Sequence, residues 1–312
     1  MGRAPYAIAV ILSGLGLVLS GCQADPALKS AAAARPRPDR PDQTAVLAAH
    51  SVVQLDVPYT AGAGPQQMLD LYAPRGTQNA PVVIYIHGGE WTKGDKSEVS
   101  FKPRFFNEHG IILISTNYRL SGTAQHPAQV NDIALAIRWV QQHIGEYGGD
   151  PAKIVLMGHS AGCHLVMLVG LDPRPLATVG LKPADLMAVV SWSGGAFDLP
   201  AKVAQGGMYA RYIHTNFGDA PAAWKDASPI DHIGEARPMP PFLMVSAAKD
   251  HAASIAASRD MAQRLAAAGA RARFVLLPGA DKTHFTADYE LGKPGDPTGQ
   301  ILLDFIQDAQ AH

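Results

Sequence analysis

The feature of this sequence that most constrains its fold is the pentapeptide Gly158-His159-Ser160-Ala161-Gly162, which stands between a strand pattern and a helix pattern. An apolar run ending at Met157 leads into it, and an apolar stretch from Ala161 to Val169 follows it. A serine on a tight strand-to-helix turn projects its hydroxyl above a sheet, where side chains two positions away on either side would collide. The pattern therefore predicts Ser160 as a nucleophile on a sheet-and-helix scaffold.

The rest of the chain alternates short β-rich runs with helical patterns, which predicts an α/β fold with a mostly parallel eight-stranded sheet and helices on both faces. Two runs, Ser51–Thr60 and Gln66–Ala73, predict a hairpin at one edge. Residues 197–237 lack a strong period and predict an insertion, or small cap, over the carboxyl edge of the sheet. The other predicted strands are 82–86, 111–115, 153–157, 188–192, 242–247 and 273–277, and the predicted helices are 129–144, 254–268 and one beginning at 298.

A second glycine-rich segment, His87-Gly88-Gly89-Glu90-Trp91, follows the buried strand pattern at residues 82–86. Glycines let backbone amides approach a ligand oxygen closely, and this position suits the second half of an oxyanion hole. The first half is the amide that follows the nucleophile. The predicted oxyanion-hole residues are Gly88, Gly89, Glu90 and Ala161.

Three side chains around these segments carry more specific expectations. The Glu90 carboxylate is expected to point away from the site, because a negative charge beside an oxyanion would oppose its formation. Trp91 is a candidate for the substrate pocket, with packing beneath the loop as the alternative. His159 is a second pocket candidate, with support of the turn as its alternative.

A serine hydroxyl needs an imidazole to take its proton, and the imidazole needs an acid to orient it. On such a sheet the acid and then the base follow the nucleophile along the chain, each in a loop after a strand. Asp250 and His284 both directly follow strand patterns in that order. They are therefore predicted as acid and base, with Asp281 and Asp198 as rival acids.

The first 21 residues fit a signal peptide, since Arg3 precedes an apolar run, Ala7–Leu19, that is too short to span a bilayer. The tetrapeptide Leu19-Ser20-Gly21-Cys22 resembles the bacterial lipoprotein box, which implies lipidation of Cys22. We expect an exported protein anchored to the envelope of a Gram-negative bacterium, at the periplasmic face or the outer membrane, with an ordinary signal peptide as the alternative. The Ala- and Pro-rich residues 22–45 predict a flexible tether, which leaves 46–312 as the catalytic domain.

Composition narrows the classes of partner. The formal net charge of -1 gives no electrostatic footprint for nucleic acid, and 47% hydrophobic residues suffice for a large core.

With two cysteines, Cys22 and Cys163, no disulfide framework is expected, and Cys163 is expected to be an unreactive thiol packed in a helix. His159 and His164 are spaced poorly for a shared metal. Neither a metal nor a cofactor is expected.

Further motifs make the chain similar to a known family. From about Leu69 to the C-terminus it resembles the alkyl esterases and kynurenine-formamidase-like members of the hormone-sensitive-lipase branch of α/β-hydrolases. The resemblance implies the α/β-hydrolase fold and places the nucleophile, acid and base on Ser160, Asp250 and His284. Besides the two glycine-rich segments, the motifs are Leu69-Asp70-Leu71-Tyr72, Gly94-Asp95-Lys96, Asn117-Tyr118-Arg119-Leu120, Gly148-Gly149-Asp150-Pro151, Ser193-Gly194-Gly195, Ala227-Ser228-Pro229-Ile230 and Leu291-Gly292-Lys293-Pro294-Gly295-Asp296.

The motifs and the resemblance lead us to expect a hydrolase that cleaves carboxylic esters of small acyl groups through an acyl-enzyme. The expected partner is a small-molecule ester, and for an exported enzyme an acylated polysaccharide is a further candidate. Two alternatives stay open. One is an arylformamidase-type amide hydrolase, and the other is a surface lipoprotein that uses the same fold only for binding.

Overall fold

The computed structural model describes Gly2, residues 50–279 and residues 281–311. Cys22, the predicted tether and the predicted signal peptide apart from Gly2 lie outside these described residues. Among the described residues, no helix combines the length and the apolar content needed to cross a membrane.

One eight-stranded sheet organises the described chain, in the order β1-β2-β4-β3-β5-β6-β7-β8. Strand β2 is antiparallel to its neighbours β1 and β4, and the other neighbouring pairs are parallel. This confirms the predicted mostly parallel sheet with a hairpin at one edge. The strands are β1 (Ser51–Pro58), β2 (Met68–Pro74), β3 (Ala80–Ile86), β4 (Ile112–Thr116), β5 (Gly149–His159), β6 (Ala188–Trp192), β7 (Phe242–Ser246) and β8 (Ala272–Leu276).

Helices connect most of the parallel strands. Short 3-10 turns at 65–67, 144–147, 183–185 and 229–232 complete the connections. The helices of the described residues 51–311 are α1 (Lys102–Glu108), α2 (Ala128–His143), α3 (Ala161–Leu171), α4 (Pro173–Ala177), α5 (Leu199–Ala204), α6 (Gly207–Phe217), α7 (Pro221–Asp226), α8 (Ala252–Ala267), α9 (His284–Tyr289) and α10 (Thr298–Gln310).

The two faces of the sheet bury separate apolar layers. Because side chains alternate along a strand, Val82 and Ile84 of β3 join one layer while Val83 and Tyr85 join the other. Helices α2, α3 and α8 contribute to the first layer, and α1 and α10 contribute to the second. Both faces of the central strands are covered, which explains their continuous apolar runs.

Two predicted elements differ from the structure in instructive ways. Strand β5 begins at Gly149, not at Lys153, because Gly149 pairs with Ala80 of β3 ahead of an irregularity in the register, a backbone contact that no apolar pattern reveals. The segment 197–237, which showed no period, contains the three short helices α5, α6 and α7. Helices α5 and α7 have six residues each with at most one buried position, which is too short to show a period. Helix α6 buries Ala210, Ile213 and Phe217 at helical spacing, a stripe that the sequence prediction missed.

A buried charge fixes the start of α2 against the loop after β4. Asp132 is fully buried, and its two carboxylate oxygens accept hydrogen bonds at 2.8 Å from Nε and from a terminal nitrogen of Arg119. The backbone amide of Arg119 donates to the same carboxylate at 2.9 Å. Among the described residues, the pair has no hydrogen bond to the serine turn, and it joins α2 to the loop after β4.

We predict that Arg119→Met lowers the free energy of unfolding by about 3 kcal/mol, because it leaves the Asp132 carboxylate buried without its cation. Urea denaturation measures the change. The double variant Arg119→Met/Asp132→Leu is the control and should recover much of the loss. A double variant as unstable as the single one would contradict this account.

Candidate active site

Ser160 lies on a strained turn between the end of β5 and the first residue of α3. Its backbone angles are φ 53 and ψ -115, a region that residues with a side chain rarely occupy. Such strain persists only where the surrounding structure enforces it, and it is found most often at functional sites. The backbone therefore holds Ser160 as a nucleophile turn requires.

Two glycines make this turn possible. A Cβ atom on Gly158 would lie 2.3 Å from the carbonyl oxygen of Gly162, and one on Gly162 would lie 2.2 Å from the carbonyl oxygen of Ile86. No side chain fits at either distance, so both positions require glycine for close backbone packing and not for rotational freedom. The strand-to-helix turn predicted from the sequence is present in this form.

The glycine-rich loop after β3 approaches the serine closely. A Cβ atom on Gly88 would lie 2.9 Å from the Cβ atom of Ser160. Gly89, Glu90 and Trp91 have φ values of 114, 51 and 60, so the loop turns through a rare backbone conformation. In the described part of the chain, the amides of Gly89, Glu90 and Ala161 donate no hydrogen bond to another protein group. These amides are thus free to bind an oxyanion.

Side-chain contacts hold this loop in place. The ring of His87 stacks on Tyr118 with centroids 4.5 Å apart, and the Tyr118 hydroxyl donates to the His87 carbonyl at 3.1 Å. The carboxylate of Glu90 forms an ion pair with Lys93 at 2.8 Å. Because Lys93 neutralises that carboxylate, the loop carries no uncompensated negative charge next to the free amides.

Asp250 and His284 form a hydrogen-bonded pair on the other side of the serine. Asp250 follows β7, and His284 is the first residue of α9. Oδ1 of Asp250 accepts a hydrogen bond from Nδ1 of His284 at 2.9 Å. The Asp250 side chain is 2% exposed and the His284 side chain 49% exposed, so the imidazole bridges a buried acid and open solvent.

The buried Asp250 is held in its charged form. Burial alone raises the pKa of a carboxyl, but hydrogen bonds from His284, Ser193 and the Ala247 amide keep the pKa of Asp250 below its usual value. A charged acid fixes the imidazole with Nδ1 protonated, which leaves Nε2 to accept a proton.

The serine turn approaches the imidazole of His284 through a neighbouring histidine. His159, the residue before Ser160, has its ring centroid 4.8 Å from that of His284. Among the described residues, no hydrogen bond joins the hydroxyl of Ser160 to His284. Hydrogen bonds of this kind often align only when substrate is bound.

Ser193 is a member of the site that sequence reasoning did not assign. Its hydroxyl donates to Oδ2 of Asp250 at 2.5 Å and lies 3.4 Å from Nδ1 of His284. Its φ of 65 is again a strained value for a residue with a side chain. The available signal was its place directly after β6, between the strands that carry Ser160 and Asp250.

His159, the second pocket candidate, is half-buried and is hydrogen-bonded to the start of α9. Its Nε2 donates to the backbone carbonyl of His284 at 3.0 Å. Burial lowers its pKa to about 4, so its ring is neutral at pH 7. The contact shows that His159 supports the start of α9, and its place in a substrate pocket stays a prediction.

Trp91 does not fit the substrate-pocket prediction. The side chain is fully buried, and it packs edge-on against His164 and Phe217 with centroids 5.2 Å away in each case. A residue without exposed surface cannot contact a ligand in this conformation. The correct reading is the alternative, packing beneath the loop.

The rival acids and the remaining candidates have structural contacts. Asp198 caps α5 by accepting a hydrogen bond from the Ala201 amide at 2.9 Å, while Asp281 is exposed.

The Cys163 thiol is buried in α3, as predicted, and donates to the Gly158 carbonyl at 3.0 Å. Burial raises its pKa to about 12, which disfavours the reactive thiolate.

One cluster of possible metal ligands occurs in the described part of the chain, away from this site. Atoms of Asp172, His232 and Glu235 lie within 4.8 Å of one another. However, Asp172 already pairs with Arg174 at 2.8 Å, and His232 bonds to Glu235 at 2.8 Å and to the Asp226 carbonyl at 2.7 Å. These groups are engaged with each other, so the cluster offers no ready set of donors.

Comparison with known proteins places this geometry in a family. The sequence profile of the BD-FAE family matches residues 69–265, which include the glycine-rich loop, the serine turn and Asp250. The chain belongs to the BD-FAE family.

Relatives of this BD-FAE chain carry esterase names. Esterase LipQ of Mycobacterium tuberculosis is 31% identical over 267 residues, which is 80% of this chain and 61% of that protein. A probable isoprenylcysteine alpha-carbonyl methylesterase, ICMEL1 of Arabidopsis thaliana, is 32% identical over 239 residues, or 72% of this chain and 49% of that protein. The chain thus spans about half to three fifths of the length of these relatives.

Solved structures establish the fold. Esterase B from Lactobacillus rhamnosis matches with a TM-score of 0.71 at 22% identity, covering 84% of this chain and 87% of that chain. A truncated carbohydrate esterase from gut microbiota matches with a TM-score of 0.67 at 22% identity, covering 84% of this chain and 98% of that chain. These likenesses, together with the sheet, confirm the α/β-hydrolase fold of this BD-FAE family member.

We predict that Ser193→Ala destabilises the protein by about 1.5–3 kcal/mol at pH 7, because the charged Asp250 loses a hydrogen bond. Since the pKa of Asp250 is depressed in the folded state, its stabilising contribution is present above the unfolded value of about 3.9 and is lost as pH falls through the folded pKa. The gap between variant and wild type should therefore narrow in acid. Urea denaturation at several pH values measures it.

Ser246→Ala is the matched control for Ser193→Ala. The Ser246 hydroxyl is buried and has no hydrogen-bond partner among the described residues, so its removal should cost little at any pH. An equal, pH-independent loss in both variants would argue against a specific role of Ser193 on Asp250.

Proposed function

We propose that this protein is a serine carboxylesterase that hydrolyses esters of small acyl groups, with Ser160 as nucleophile, His284 as base and Asp250 as acid. The observation that carries the proposal is the strained serine turn facing free loop amides, with a hydrogen-bonded Asp250–His284 pair beside it. The esterase names of the BD-FAE relatives support the reaction class.

The proposed reaction starts when His284 Nε2 takes the proton of the Ser160 hydroxyl as its oxygen attacks the ester carbonyl carbon. The carbonyl electron pair moves onto the oxygen, and the amides of Gly88, Gly89 or Glu90 and of Ala161 bind the resulting oxyanion. The helix dipole of α3 adds favourable charge there, since Ala161 is its first residue.

The tetrahedral intermediate then breaks its bond to the alcohol oxygen, and the protonated His284 gives its proton to the leaving alcohol. An acyl-enzyme on Ser160 remains. Water repeats the sequence, with His284 again taking a proton, and releases the carboxylic acid. Throughout both halves the charged Asp250 stabilises the imidazolium, and Ser193 and the Ala247 amide hold Asp250 in place.

Ser160→Ala tests this proposal. We expect kcat on p-nitrophenyl acetate to fall by about 10⁶-fold, because the proposed groups act as a unit. A fluorophosphonate probe should label the wild type and not the variant. The control is Ser246→Ala, which should keep both rate and labelling. Undiminished hydrolysis by Ser160→Ala would place the nucleophile elsewhere, and absence of any labelling or hydrolysis in the wild type would favour a binding function.

A substrate panel on one preparation resolves the reaction further. Acetyl, butyryl, feruloyl and formyl substrates separate a small-acyl esterase from a feruloyl esterase and from the arylformamidase alternative. Acetylated polysaccharide is the natural addition, since one structural neighbour is described as a carbohydrate esterase.

We also propose that the chain is exported and lipid-anchored through Cys22, a proposal supported by its lipoprotein-box sequence. Expression in a Gram-negative host with labelled palmitate should give a labelled, membrane-associated protein, and Cys22→Ser should remove the label and release the protein from membranes. Labelling that persists in Cys22→Ser, or an unlabelled wild type, would contradict the anchor. Cys163→Ser is the control, because a buried thiol should not affect labelling.

A further inference from the structure

Helix α9, which begins with His284, is too short to hold its own shape. It has six residues, and isolated helices shorter than about 12 residues are marginal in water. The position of the His284 ring is therefore set by its hydrogen bond to Asp250 and by the contacts that hold α9. Thr283 caps the helix from the preceding loop, and further contacts come from parts of the chain distant in sequence.

Backbone carbonyls of α9 receive hydrogen bonds from two side chains at the ends of strands. Nε2 of His159, at the end of β5, donates to the carbonyl of His284 at 3.0 Å. Nε1 of Trp192, at the end of β6, donates to the carbonyl of Ala287 at 2.8 Å. The Ala287 carbonyl lies in the last turn of α9, where carbonyls lack partners within the helix, so the Trp192 donor stabilises that end directly.

A buried ion pair fixes the far end of the same helix. Nζ of Lys102, a residue of α1 with no exposed surface, lies 2.9 Å from Oδ1 of Asp288 and donates to the Asp288 carbonyl at 2.9 Å. The Tyr85 hydroxyl on β3 donates to the same carboxylate at 2.8 Å. Asp288 lies one turn after His284, so the two residues are on the same side of the helix.

The charge of this cluster is internally balanced. Burial alone would raise the pKa of Asp288, but Lys102 beside it keeps that pKa below its usual value. The Lys102 ammonium also lies 4.7 Å from the centre of the Tyr85 ring, which is a favourable cation–π distance. Burying a lysine is costly, and this one is compensated by its ion pair with Asp288 of α9 and by the ring of Tyr85.

We propose that Lys102, acting through Asp288, and His159, acting through the carbonyl of His284, are positioning residues that hold the imidazole of His284 in line with Ser160 and Asp250. They touch no substrate in this proposal. Their effect on catalysis rests on the proposed function, because it requires His284 to be the base. We call the two contacts, Lys102 with Asp288 and His159 with the carbonyl of His284, the tie. The tie is a property of the structure and can be measured without enzymatic activity.

Two pairs of variants test the tie. Lys102→Met removes the ammonium and keeps an unbranched apolar stem, and Asp288→Asn is the milder variant if Lys102→Met folds poorly. His159→Leu removes the donor to His284, while His159→Gln keeps an N–H group that can reach the same carbonyl. Lys96→Met is the matched control, because Lys96 is also a buried lysine that pairs with a buried aspartate, Asp70, at 2.8 Å, but it makes no contact with α9.

We expect kcat on p-nitrophenyl acetate to fall about 10- to 100-fold in Lys102→Met and His159→Leu, the effect typical of a small misplacement of a reacting group, with KM within about twofold of wild type. His159→Gln should recover most of the kcat lost in His159→Leu. Lys96→Met should lower the melting temperature and leave kcat unchanged. If Lys102→Met and His159→Leu behave like Lys96→Met, with lower stability but full kcat, the positioning role is wrong.

A second measurement separates this inference from the proposed function. Proton NMR in water follows the imidazole N–H proton of His284 that is bonded to Asp250, which requires no catalytic activity. The signal should be present in the wild type and in Lys96→Met, and broadened or lost in Lys102→Met and His159→Leu. An inactive wild type with this pattern would overturn the esterase and keep the tie, while an active enzyme whose signal survives in all variants would overturn the tie alone.

Discussion

The contact between helix α3 and strand β3 sets the geometry of the candidate active site. A Cβ atom on Gly162 would lie 2.2 Å from the Ile86 carbonyl oxygen, so the helix backbone lies directly on the strand end. This contact forces Ser160 into its strained conformation and brings the first amide of α3 beside the glycine-rich loop that follows β3. The parallel sheet then places the loops after β6, β7 and β8 at the same edge, because parallel strands end on one side.

Much of this arrangement could be predicted from the sequence, because each of its parts has a local signature. Buried parallel strands are continuous apolar runs, and the glycines of the serine turn are required by packing that any such turn shares. Asp250 and His284 could be chosen from many acids and histidines because strand order fixes which loops reach the site. The structure brings these two residues to hydrogen-bonding distance.

Other parts could not be predicted, because they depend on contacts between residues distant in the chain. The link between Ser193 and Asp250 joins the ends of two strands and leaves no pattern in either. A tryptophan beside an oxyanion loop could line a pocket or pack in the core, and the sequence does not distinguish the two. Only the packing of Trp91 against α6 shows that it belongs to the core. Strand β5 begins at Gly149 because this residue pairs with Ala80 of β3, and side-chain periodicity does not report such a backbone contact.

The buried Lys102–Asp288 pair bears on how this architecture can diversify. Since α9 is attached to the sheet and to α1 by its own residues and is capped by Thr283, the exposed residues Pro278 and Asp281 contribute little to where the helix sits. These two positions can therefore exchange residues while the helix stays in register. Substitutions that reshape the surface beside His284 can therefore accumulate there during evolution without moving the imidazole.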